Sequence, residues 1–408
     1  MSDPATNENL REGRRERGDF GKDKGAAMKK GWQTKKLSEV CEKITDGTHQ
    51  TPTYFDDGVL FLSSRNVTSG TIDWENVKYI DAKQHGEMQR RVSPRLNDIL
   101  LAKNGTTGVA AMVDRDVPFD IYVSLALLRP LAAVRPTFLL HFINSPLAKE
   151  QFTKRLKGIG VPNLHLEEIR EVQIPVPPLA EQQRIVGLLD EAFEGLATAK
   201  ANAETNLQNA RALFESHLQS VFTQRGPEWV ETTLDKISTN LDSKRVPITK
   251  NVRTSGEYPY YGASGIVDYV GDYIFEGANL LVSEDGANLL ARSTPIAFSV
   301  SGKYWVNNHA HILKFENMAT QRFVEFYLES IKLDDYITGA AQPKLNQKAL
   351  NSIPIPIPKS VETQAKIVES LESLQEQTHH LARLYEQKLA ALAALKKSLL
   401  HQAFTGEL

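Results

Sequence analysis

The feature that most constrains this chain is an internal repeat in its sequence. Residues 158–178 read GIGVPNLHLEEIREVQIPVPP and residues 339–359 read GAAQPKLNQKALNSIPIPIPK, so the second segment follows the first at a spacing of 181 residues. Beyond the prolines the spacing becomes 182. Self-similarity over this length indicates that one structural unit occurs twice in the chain. The matched pairs include Gly158 with Gly339, Pro162 with Pro343, Leu164 with Leu345, Ile185 with Ile367, and Phe222 with Phe404.

Each half ends in a proline run followed by a long helical segment. The prolines at 175–178 and at 354–358 cannot lie inside a helix, so each helix must begin after them. In both segments apolar residues recur mostly at steps of four and three, which is the period of a coiled coil. The predicted apolar seam consists of Ile185, Leu189, Ala192, Leu196, Ala199, Ala203, Ala210 and Leu213 in the first helix, and of Ile367, Leu371, Leu374, Leu381, Tyr385, Leu392, Leu395 and Leu399 in the second.

The segments that precede the two helices predict globular domains of mixed helix and strand. Short apolar runs indicate strands at 59–62, 99–102, 280–283 and 296–300, and helical patterns lie at 138–145 and 321–331. We therefore predict an α+β fold, in which two mixed α/β domains are separated by two long antiparallel coiled-coil helices with an internal pseudo-twofold repeat. The predicted divisions are a disordered arm over 1–28, a first domain over 29–179, a central helical spacer over 180–225, a second domain over 226–360 and a C-terminal helical spacer over 361–408.

The composition excludes several classes of protein. A single cysteine excludes a disulfide framework and a zinc site built from several thiolates. The sequence has no apolar run of membrane-spanning length and no secretory signal pattern, so we expect a cytoplasmic protein with no membrane partner. A net charge of -2 excludes a basic coat over the whole surface, although it leaves room for a local basic face.

Sequence motifs for catalysis are also missing. The chain contains no Asn-Pro dipeptide, hence no adenine-methylation loop of the Asn-Pro-Pro-Tyr/Phe type, and no Gly-x-x-x-x-Gly-Lys-Ser/Thr phosphate loop. It has no His-Glu-x-x-His motif and no Gly-x-Ser-x-Gly elbow. We therefore predict a binding protein with no catalytic residues and no metal site of its own.

Several motifs in this arrangement are typical of one protein family. They are the proline entries to the two helices (residues 175–182 and, more loosely, 356–364), the Gly-x-x-x-Pro-x-Leu element in each half, Asp46-Gly47-Thr48-His49, and Asn307-Asn308-His309-Ala310-His311. With two ordered copies at matching spacing, the chain resembles the specificity subunit of type I restriction-modification systems over nearly its whole length after residue 28.

This resemblance implies a function and a set of partners. Each globular domain would be a target-recognition domain that reads one half of a bipartite, asymmetric double-stranded DNA target. The partners would be two methyltransferase (modification) subunits, which bring S-adenosylmethionine, and motor-nuclease (restriction) subunits, which bring ATP hydrolysis and Mg²⁺. The chain itself would hold no cofactor. The predicted partner-binding residues are Glu181, Gln182, Ile185, Gln364 and Ile367.

In the first half, the candidate DNA contacts come from loops that carry base-reading and phosphate-binding residue types. The turn at 103–108 can bring backbone N–H groups, hydroxyls and a lysine charge to phosphates, although a plain hairpin turn needs the same glycines. Arginine and asparagine, as at 65 and 66, suit guanine and adenine, although a solvated loop is as probable. The predicted DNA-binding residues of this half are Thr45, Asp46, Thr48, His49, Ser64, Arg65, Asn66, Arg90, Arg91, Lys103, Asn104, Thr106, Thr107 and Asn163.

In the second half, the corresponding loop at 284–288 is acidic. Carboxylates repel phosphate but can accept a hydrogen bond from cytosine N4, which suits two domains that read different bases. His309 and His311 share one strand face, and we favour a packed or DNA-facing pair over a metal site. Tyr258, Tyr260 and Tyr261 suit contacts with sugar and phosphate, but we favour half-buried strand positions for them. The predicted DNA-binding residues of this half are Tyr261, Ser264, Asp285, Asn288, Asn308, His309, Lys344 and Asn346.

Two other functions fit parts of the pattern. A two-headed coiled-coil scaffold or adaptor protein that binds no DNA would also need paired domains and heptad helices. A hydrolase built on the histidine pair is a weaker alternative. The duplicated domain-plus-helix unit favours DNA recognition, because a pseudo-twofold lays two similar domains along a duplex.

Overall fold

The computed structural model describes residues 29–67, 70–157, 163–339 and 341–408. Its internal contacts divide the chain into two compact units. Among the described residues, one unit contains those up to Ala197 together with Leu392–Leu408, and the other contains those of Thr198–Ala391. The predicted arm over 1–28 and the repeat positions Gly158 and Pro162 lie outside the described residues.

The first unit contains short strands and helices, the first part of one long helix, and the last part of another, α11 (Val361–Thr405). Its elements are β1 (Gln33–Lys36), α1 (Leu37–Val40), β2 (Cys41–Asp46), β3 (Val59–Leu62), β4 (Lys78–Ile80), α2 (Ala82–Gln89), β5 (Ile99–Ala102), β6 (Ala110–Met112), β7 (Phe119–Ile121), β8 (Leu125–Pro130), α3 (Pro136–Ile143), α4 (Pro146–Arg155), α5 (Leu166–Arg170), β9 (Gln173–Val176) and the first part of α6 (Leu179–Thr223).

A four-stranded antiparallel sheet in the order β2-β8-β5-β6 organises this unit. Every residue of β5 is buried because both faces of the sheet are covered. Ile99 and Leu101 pack toward Phe138 and the other helical residues, whereas Leu100 packs toward Phe119 and the three-stranded sheet β4-β3-β7. The alternation follows from the two-residue period of a strand.

The second unit repeats this layout with different loop lengths. Its elements are β10 (Trp229–Thr233), α7 (Leu234–Ile237), β11 (Ser238–Asn240), β12 (Ser255–Gly262), β13 (Gly265–Val270), β14 (Phe275–Glu276), β15 (Asn279–Ser283), α8 (Asn288–Ala291), β16 (Ala297–Val300), β17 (Lys303–Val306), β18 (Ala310–Phe315), α9 (Met318–Ser330), α10 (Gln347–Asn351), β19 (Pro354–Pro358) and most of α11 (Val361–Thr405).

Strand pairing confirms the repeat that the sequence indicates. The second unit has a four-stranded sheet in the order β11-β18-β15-β16, which corresponds strand for strand to β2-β8-β5-β6. In the first sheet Leu101 lies opposite Ala126, and in the second Val282 lies opposite His311. The parallel pair β3–β7 likewise corresponds to β12–β17. The two domains are therefore copies of one fold.

The proline runs form strands, which the sequence pattern did not predict. β9 pairs with β1, and β19 pairs with β10, each as an isolated antiparallel pair. Proline lacks an N–H group, so it can occupy a strand whose outer edge makes no ladder bonds. Each run then gives way to its long helix, which begins at Leu179 or Val361, close to the predicted starts.

The two long helices run antiparallel within each unit. In the first unit the Arg184 guanidinium donates to the Leu408 carbonyl oxygen, and in the second unit Arg211 forms an ion pair with Glu386. Several predicted seam residues are buried as expected, among them Ile185, Leu189, Ala203, Ala210 and Leu371. None of the helices in the described ranges is long and apolar enough to cross a membrane.

Three predicted seam residues are exposed and lie outside the seam. Leu213, Leu381 and Leu395 are 52%, 40% and 48% exposed. A seam of 3.5-residue period that passes through Ala203 and Ala210 continues to position 214, so Leu213 flanks it. Phe214, Thr378 and Ala382 line the facing side of the helix pair in the second unit. The prediction chose leucines because of their hydrophobicity, whereas the facing positions are occupied by residues of other types, such as Phe214, Thr378 and Ala382.

Candidate nucleic-acid interface

In the first unit, segments that are distant in sequence converge at one end of the main sheet. The Lys103 backbone N–H donates to the Ser124 carbonyl oxygen (2.8 Å), and the Ser64 N–H donates to the Ser124 hydroxyl (3.0 Å). The Leu164 N–H donates to the Lys103 carbonyl oxygen (3.0 Å). The predicted loops at 64–66 and 103–108 and the segment from 163 therefore lie together. The Val123 N–H donates to the Thr48 carbonyl oxygen (2.9 Å), which brings the loop at 45–49 to the same edge.

A buried ion pair lies at the centre of this edge. Asp46 ends β2, and its carboxylate accepts hydrogen bonds from Lys103 Nζ (2.6 Å), Arg91 Nη2 (2.6 Å) and His49 Nε2 (3.3 Å). The side chains of Asp46 and Lys103 are only 4% and 6% exposed. Burial acts to raise the pKa of Asp46, but the hydrogen bonds and charge of Lys103 outweigh it, so the pKa lies below the ordinary 3.8. The carboxylate is ionised at neutral pH.

An open cleft adjoins this ion pair. Its volume is about 400 Å³, and it lies between the loop that follows Asp46 and helix α2. His49 and Arg91 line it and are 60% and 52% exposed at the side chain. Asp120 also lines it, where its carboxylate contacts His85 Nδ1 at 2.6 Å. The cleft therefore offers hydrogen-bond donors and acceptors of both charge signs, which are the groups that read base edges.

Three predicted DNA contacts of this half are corrected by burial. Asp46 and Lys103 neutralise each other inside the domain, so Lys103 cannot reach a phosphate. Asn66 is 6% exposed, and its amide donates to the carbonyl oxygens of Asp73 and Asn76 while its oxygen accepts from Ser63. These side chains shape the loops and do not present themselves to a ligand.

The other predicted residues of the first half remain accessible or partly accessible. His49, Arg65, Arg90, Arg91 and Thr106 are exposed. The remaining ones are half-buried, namely Thr45, Thr48, Ser64, Asn104, Thr107 and Asn163. The Asn104 and Asn163 strands meet in an isolated β-bridge. Their contact with DNA stays a prediction.

In the second unit, the equivalent segments converge in the same way. The Glu284 N–H donates to the His309 carbonyl oxygen (2.9 Å), and the Leu345 N–H donates to the Glu284 carbonyl oxygen (2.8 Å). These bonds match those of Lys103 in the first unit, so Glu284 occupies the Lys103 position. The Ser283 hydroxyl donates to the Ala263 carbonyl oxygen (2.5 Å), which brings the predicted Ser264 loop to the same edge.

A larger buried ion network replaces the single pair here. Arg245 Nη1 lies 2.6 Å from Glu284 Oε2, and Arg245 Nη2 lies 3.6 Å from Asp242 Oδ2. Lys344 Nζ lies 3.1 Å from Glu284 Oε1. Burial acts to raise the pKa of both carboxyl groups, but the neighbouring hydrogen bonds and charges outweigh it, so each pKa lies below its ordinary value. Both carboxylates are ionised at neutral pH.

His311 completes this network and is 1% exposed. Its Nδ1 lies 2.5 Å from Asp242 Oδ2, and its Nε2 lies 2.7 Å from the Leu345 carbonyl oxygen. Both partners are acceptors, so a ring with protons on both nitrogens satisfies the geometry. Asp242, Glu284 and His311 lie close enough together to suggest a metal site. However, a metal ion would have to displace the Arg245 guanidinium, which already bonds to Glu284, so the arrangement fits an ion network better.

The predicted contacts of the second half divide into exposed and constrained residues. Ser264, Asn308, His309, Lys344 and Asn346 are exposed. Tyr261 packs edge-on against the buried Tyr304, as the strand-aromatic alternative expects. The Asp285 carboxylate lies 2.8 Å from His309 Nδ1. The Asn288 side chain accepts from Thr294 N–H and donates to its carbonyl oxygen, so it holds its own loop together.

Arg245 and Asp242 were missed in the sequence, although a signal was present. Asp46 and His49 are three residues apart after a strand, and Asp242 and Arg245 have the same spacing. The chain between β2 and the turn at 103–108 differs in length from the chain between β11 and the loop at 284–288, so the sequence alone does not show this correspondence. The ladder register reveals it, because Ala126 lies opposite Asp46 and His311 lies two residues before the partner of Asn240.

Comparison with known proteins identifies the fold and its family. Residues 29–206 and 227–388 both match the family described as type I restriction modification DNA specificity domain. The chain belongs to this family. The two matches define a first and a second specificity domain, each of which contains one of the ion networks described above.

Curated relatives carry consistent names. The chain is 35% identical over 170 residues to a putative type I restriction enzyme specificity subunit of Haemophilus influenzae, a match that spans 41% of this chain and 42% of that protein. It is 20% identical over 429 residues to the StySPI specificity subunit of Salmonella potsdam, which covers 93% of this chain and 90% of that protein.

Solved structures share the fold over more than nine-tenths of the chain. One match is a structure from work on complex assembly and conformational transition of the type I R-M system. Its TM-score is 0.74 at 20% identity, and the match covers 94% of this chain and 100% of that one. The HsdS subunit from Thermoanaerobacter tengcongensis matches with a TM-score of 0.60 and 20% identity, over 93% and 98%. The predicted α+β fold with its long helices is thereby confirmed.

The predicted partner contacts at the helix entries of the two specificity domains need correction. Gln182 is fully buried, and its amide bonds to Arg135 N–H and to the carbonyl oxygens of Ala133 and Pro177. Gln364 is 4% exposed and bonds to Thr320 and Pro358 in the same way. These glutamines join each helix to its own domain and present no side chain to a partner.

The remaining partner predictions have different outcomes. Ile185 is 1% exposed and belongs to the core of the first unit, so its prediction as a partner contact is also wrong. Ile367 is half-buried against the core of the second unit. Glu181 is ion-paired with Arg184 and Lys29, which lowers its pKa from 4.5 to about 2. Partner contacts of Glu181 and Ile367 stay predictions.

Proposed function

We propose that this chain is the DNA sequence-specificity subunit of a type I restriction-modification complex. It binds a bipartite asymmetric target in double-stranded DNA, with one specificity domain on each half-site. It is non-catalytic and acts in the cytoplasm. It positions two methyltransferase subunits and the motor-nuclease subunits, and S-adenosylmethionine, ATP and Mg²⁺ enter the complex through those partners.

One observation carries this proposal. The same loop cluster occurs in both domains at the same end of the same sheet, yet its side chains differ: Lys103 corresponds to Glu284, and His49 corresponds to Arg245. A shared backbone with changed polar groups is what two readers of different base sequences need, because bases are distinguished by donor and acceptor patterns. An adaptor that binds two similar proteins would need no such divergence at the equivalent edge.

The charge of the chain argues for assembly with partners. Its formal net charge is -2, and most cations at the two candidate edges already pair with carboxylates, as Lys103 and Arg245 do. Affinity for DNA that rests on phosphate contacts grows with the number of free cations. We therefore expect weak binding by the chain alone and tight binding when the methyltransferase subunits add their own contacts to the duplex.

A gel-shift measurement with genomic fragments tests the proposal. The chain together with its methyltransferase should retard only fragments that contain the target, and substitution Thr106→Glu in the exposed turn should weaken that complex by repelling phosphate. Thr205→Glu, at an exposed position of α6, is the matched control and should bind as the wild type does. An assembled complex that shows no sequence preference would favour the adaptor function and refute the proposal.

Catalysis is tested separately on the purified chain. Incubation with S-adenosylmethionine and target DNA, or with ATP and Mg²⁺, should give no methylation and no cleavage without the partner subunits. Either activity from the isolated chain would contradict the non-catalytic assignment.

A further inference from the structure

The two specificity domains hold equivalent loops through ion networks of opposite polarity. In the first domain the loop residue is a cation, Lys103, which binds the strand-end carboxylate of Asp46 directly. In the second domain the same position is Glu284, so two carboxylates, Asp242 and Glu284, are brought to the same buried place. Two buried anions without a cation between them would be strongly unfavourable.

Residues at three other positions compensate for this reversal. Arg245 replaces His49, donates a hydrogen bond to the Glu284 carboxylate and lies within ion-pair distance (3.6 Å) of the Asp242 carboxylate. His311 replaces Ala126 on the neighbouring strand and contacts Asp242. Lys344 replaces Asn163 at the bridge to the glycine turn and pairs with Glu284. Each replacement adds a hydrogen-bonding cation or a group able to carry positive charge, and together they offset the change from lysine to glutamate.

The networks also fix where the base-reading segments lie. Arg245 Nη1 donates to the Ala310 carbonyl oxygen (2.8 Å), and His311 contacts the Leu345 carbonyl oxygen. Arg245 therefore links the segment after β11 to the start of β18, next to His309. His311 links that strand to the segment that carries Lys344 and Asn346. The exposed candidates are one or two residues away from the buried anchors.

We propose that Arg245 and His311 are positioning residues for DNA recognition by the second specificity domain, matched to Glu284. The inference rests on the proposed function and adds a rule to it: a loop cluster works only with the ion network of its own polarity. If the turn at 103–108 of the first domain replaced the loop at 284–288 of the second with no other change, a buried charge would be left without its partner. The surrounding residues at 245 and 311 must change with it.

Charge reversal with and without compensation tests this rule. In the full chain assembled with its methyltransferase, Glu284→Lys places a lysine beside Arg245 and His311 and should weaken binding to the cognate target at least tenfold. The combination of Glu284→Lys, Arg245→His and His311→Ala gives Asp242 the lysine, histidine and alanine that lie around Asp46 in the first domain. Lys344 is left unchanged because its side chain is 52% exposed and its charge can stay in solvent. It should recover affinity to within about threefold of the wild type. Glu204→Lys, in an exposed pair with Lys200 on α6, is the charge-matched control and should have no effect.

Targets with one half-site scrambled separate positioning from a general loss of folding. For Glu284→Lys, scrambling the second half-site should no longer matter, whereas scrambling the first should still abolish binding. The triple variant should regain sensitivity at both half-sites. A Glu284→Lys variant with wild-type discrimination, or a triple variant that is folded but still blind to the second half-site, would overturn the inference. A wild-type complex that ignores both half-sites would refute the proposed function itself.

Discussion

Replacing Lys103 by methionine tests whether the buried ion pair holds the first loop cluster in place. Lys103 and Asp46 are almost fully buried, and their charged atoms lie 2.6 Å apart. Removal of one partner from a buried pair destabilises a protein by about 3–5 kcal/mol, because the remaining charge is left without compensation. Arg91 still reaches the other oxygen of Asp46, so we expect the lower end, about 3 kcal/mol, for Lys103→Met.

Two matched variants identify the cause of that loss. Arg91 binds the same carboxylate but its side chain is 52% exposed, so Arg91→Met should cost only about 0–1 kcal/mol. The double variant Lys103→Met with Asp46→Asn removes the stranded charge and should recover part of the loss. Urea unfolding of the full chain measures all three. If Lys103→Met unfolds within about 1 kcal/mol of the wild type, the pair does not stabilise the domain as we argue.

The same variant should show a distinct dependence on pH. Asp46 has a pKa below 3.8 in the folded chain, so the ion pair stabilises the fold above that pH and its contribution is lost as the pH falls through the lowered pKa. Without Lys103, only His49 and Arg91 oppose the effect of burial on the pKa of Asp46, so that pKa should rise and the carboxyl group should take up a proton more readily. The difference in stability between wild type and Lys103→Met should therefore shrink as the pH is lowered toward 4. A difference that stays constant or grows would contradict this assignment.

Three further predictions address other parts of the chain. Burial raises the pKa of Cys41, the single cysteine, to about 12, so its thiol should not react with a disulfide reagent at pH 8 until the chain is unfolded; rapid reaction of the native chain would contradict its place in the core. Burial lowers the pKa of His141 below 6.5 despite its contact with Asp190, so an unfolded chain binds a proton that the folded chain resists. Stability measured by urea should fall between pH 7 and pH 5.5, and His141→Gln should reduce that fall; an equal fall in the variant would remove His141 as its cause. Four residues inserted near Ala201–Asn206 lengthen α6 by about 6 Å, and base pairs rise by about 3.4 Å, so the spacer between half-sites should change by one or two base pairs; an active insert with an unchanged spacer would contradict a role of the helix in spacing.

The repeat and the helix starts could be predicted because they depend on local chemistry. Proline forbids helix at 175–178, and the heptad pattern that follows has one interpretation at this length. The predicted strands at 59–62 and 99–102 agree with β3 and β5 because apolar runs of that length between turns have few alternatives. These features require no knowledge of which segments meet in space.

The predictions that failed depend on tertiary contacts. A lysine in a glycine-rich turn, as at Lys103, is typical of a phosphate-binding residue. Its actual partner, Asp46, is 57 residues away in the sequence, so the local pattern could not show the pair. Gln182 lies on an accessible-looking helix start, but three backbone groups of its own domain use its amide. Arg245 was overlooked because its partner Glu284 is 39 residues away, and only the strand register shows that Asp242 and Arg245 correspond to Asp46 and His49.

The two specificity domains should read different half-sites of one target. Methylome sequencing of a host that expresses this chain with its methyltransferase tests this directly. A second host expresses a variant of the chain in which residues 29–179 are exchanged for those of another family member. We predict a methylated motif made of two unlike half-sites with a fixed gap, of which only one half changes on exchange. A palindromic motif, no motif, or a change in both halves would contradict the account.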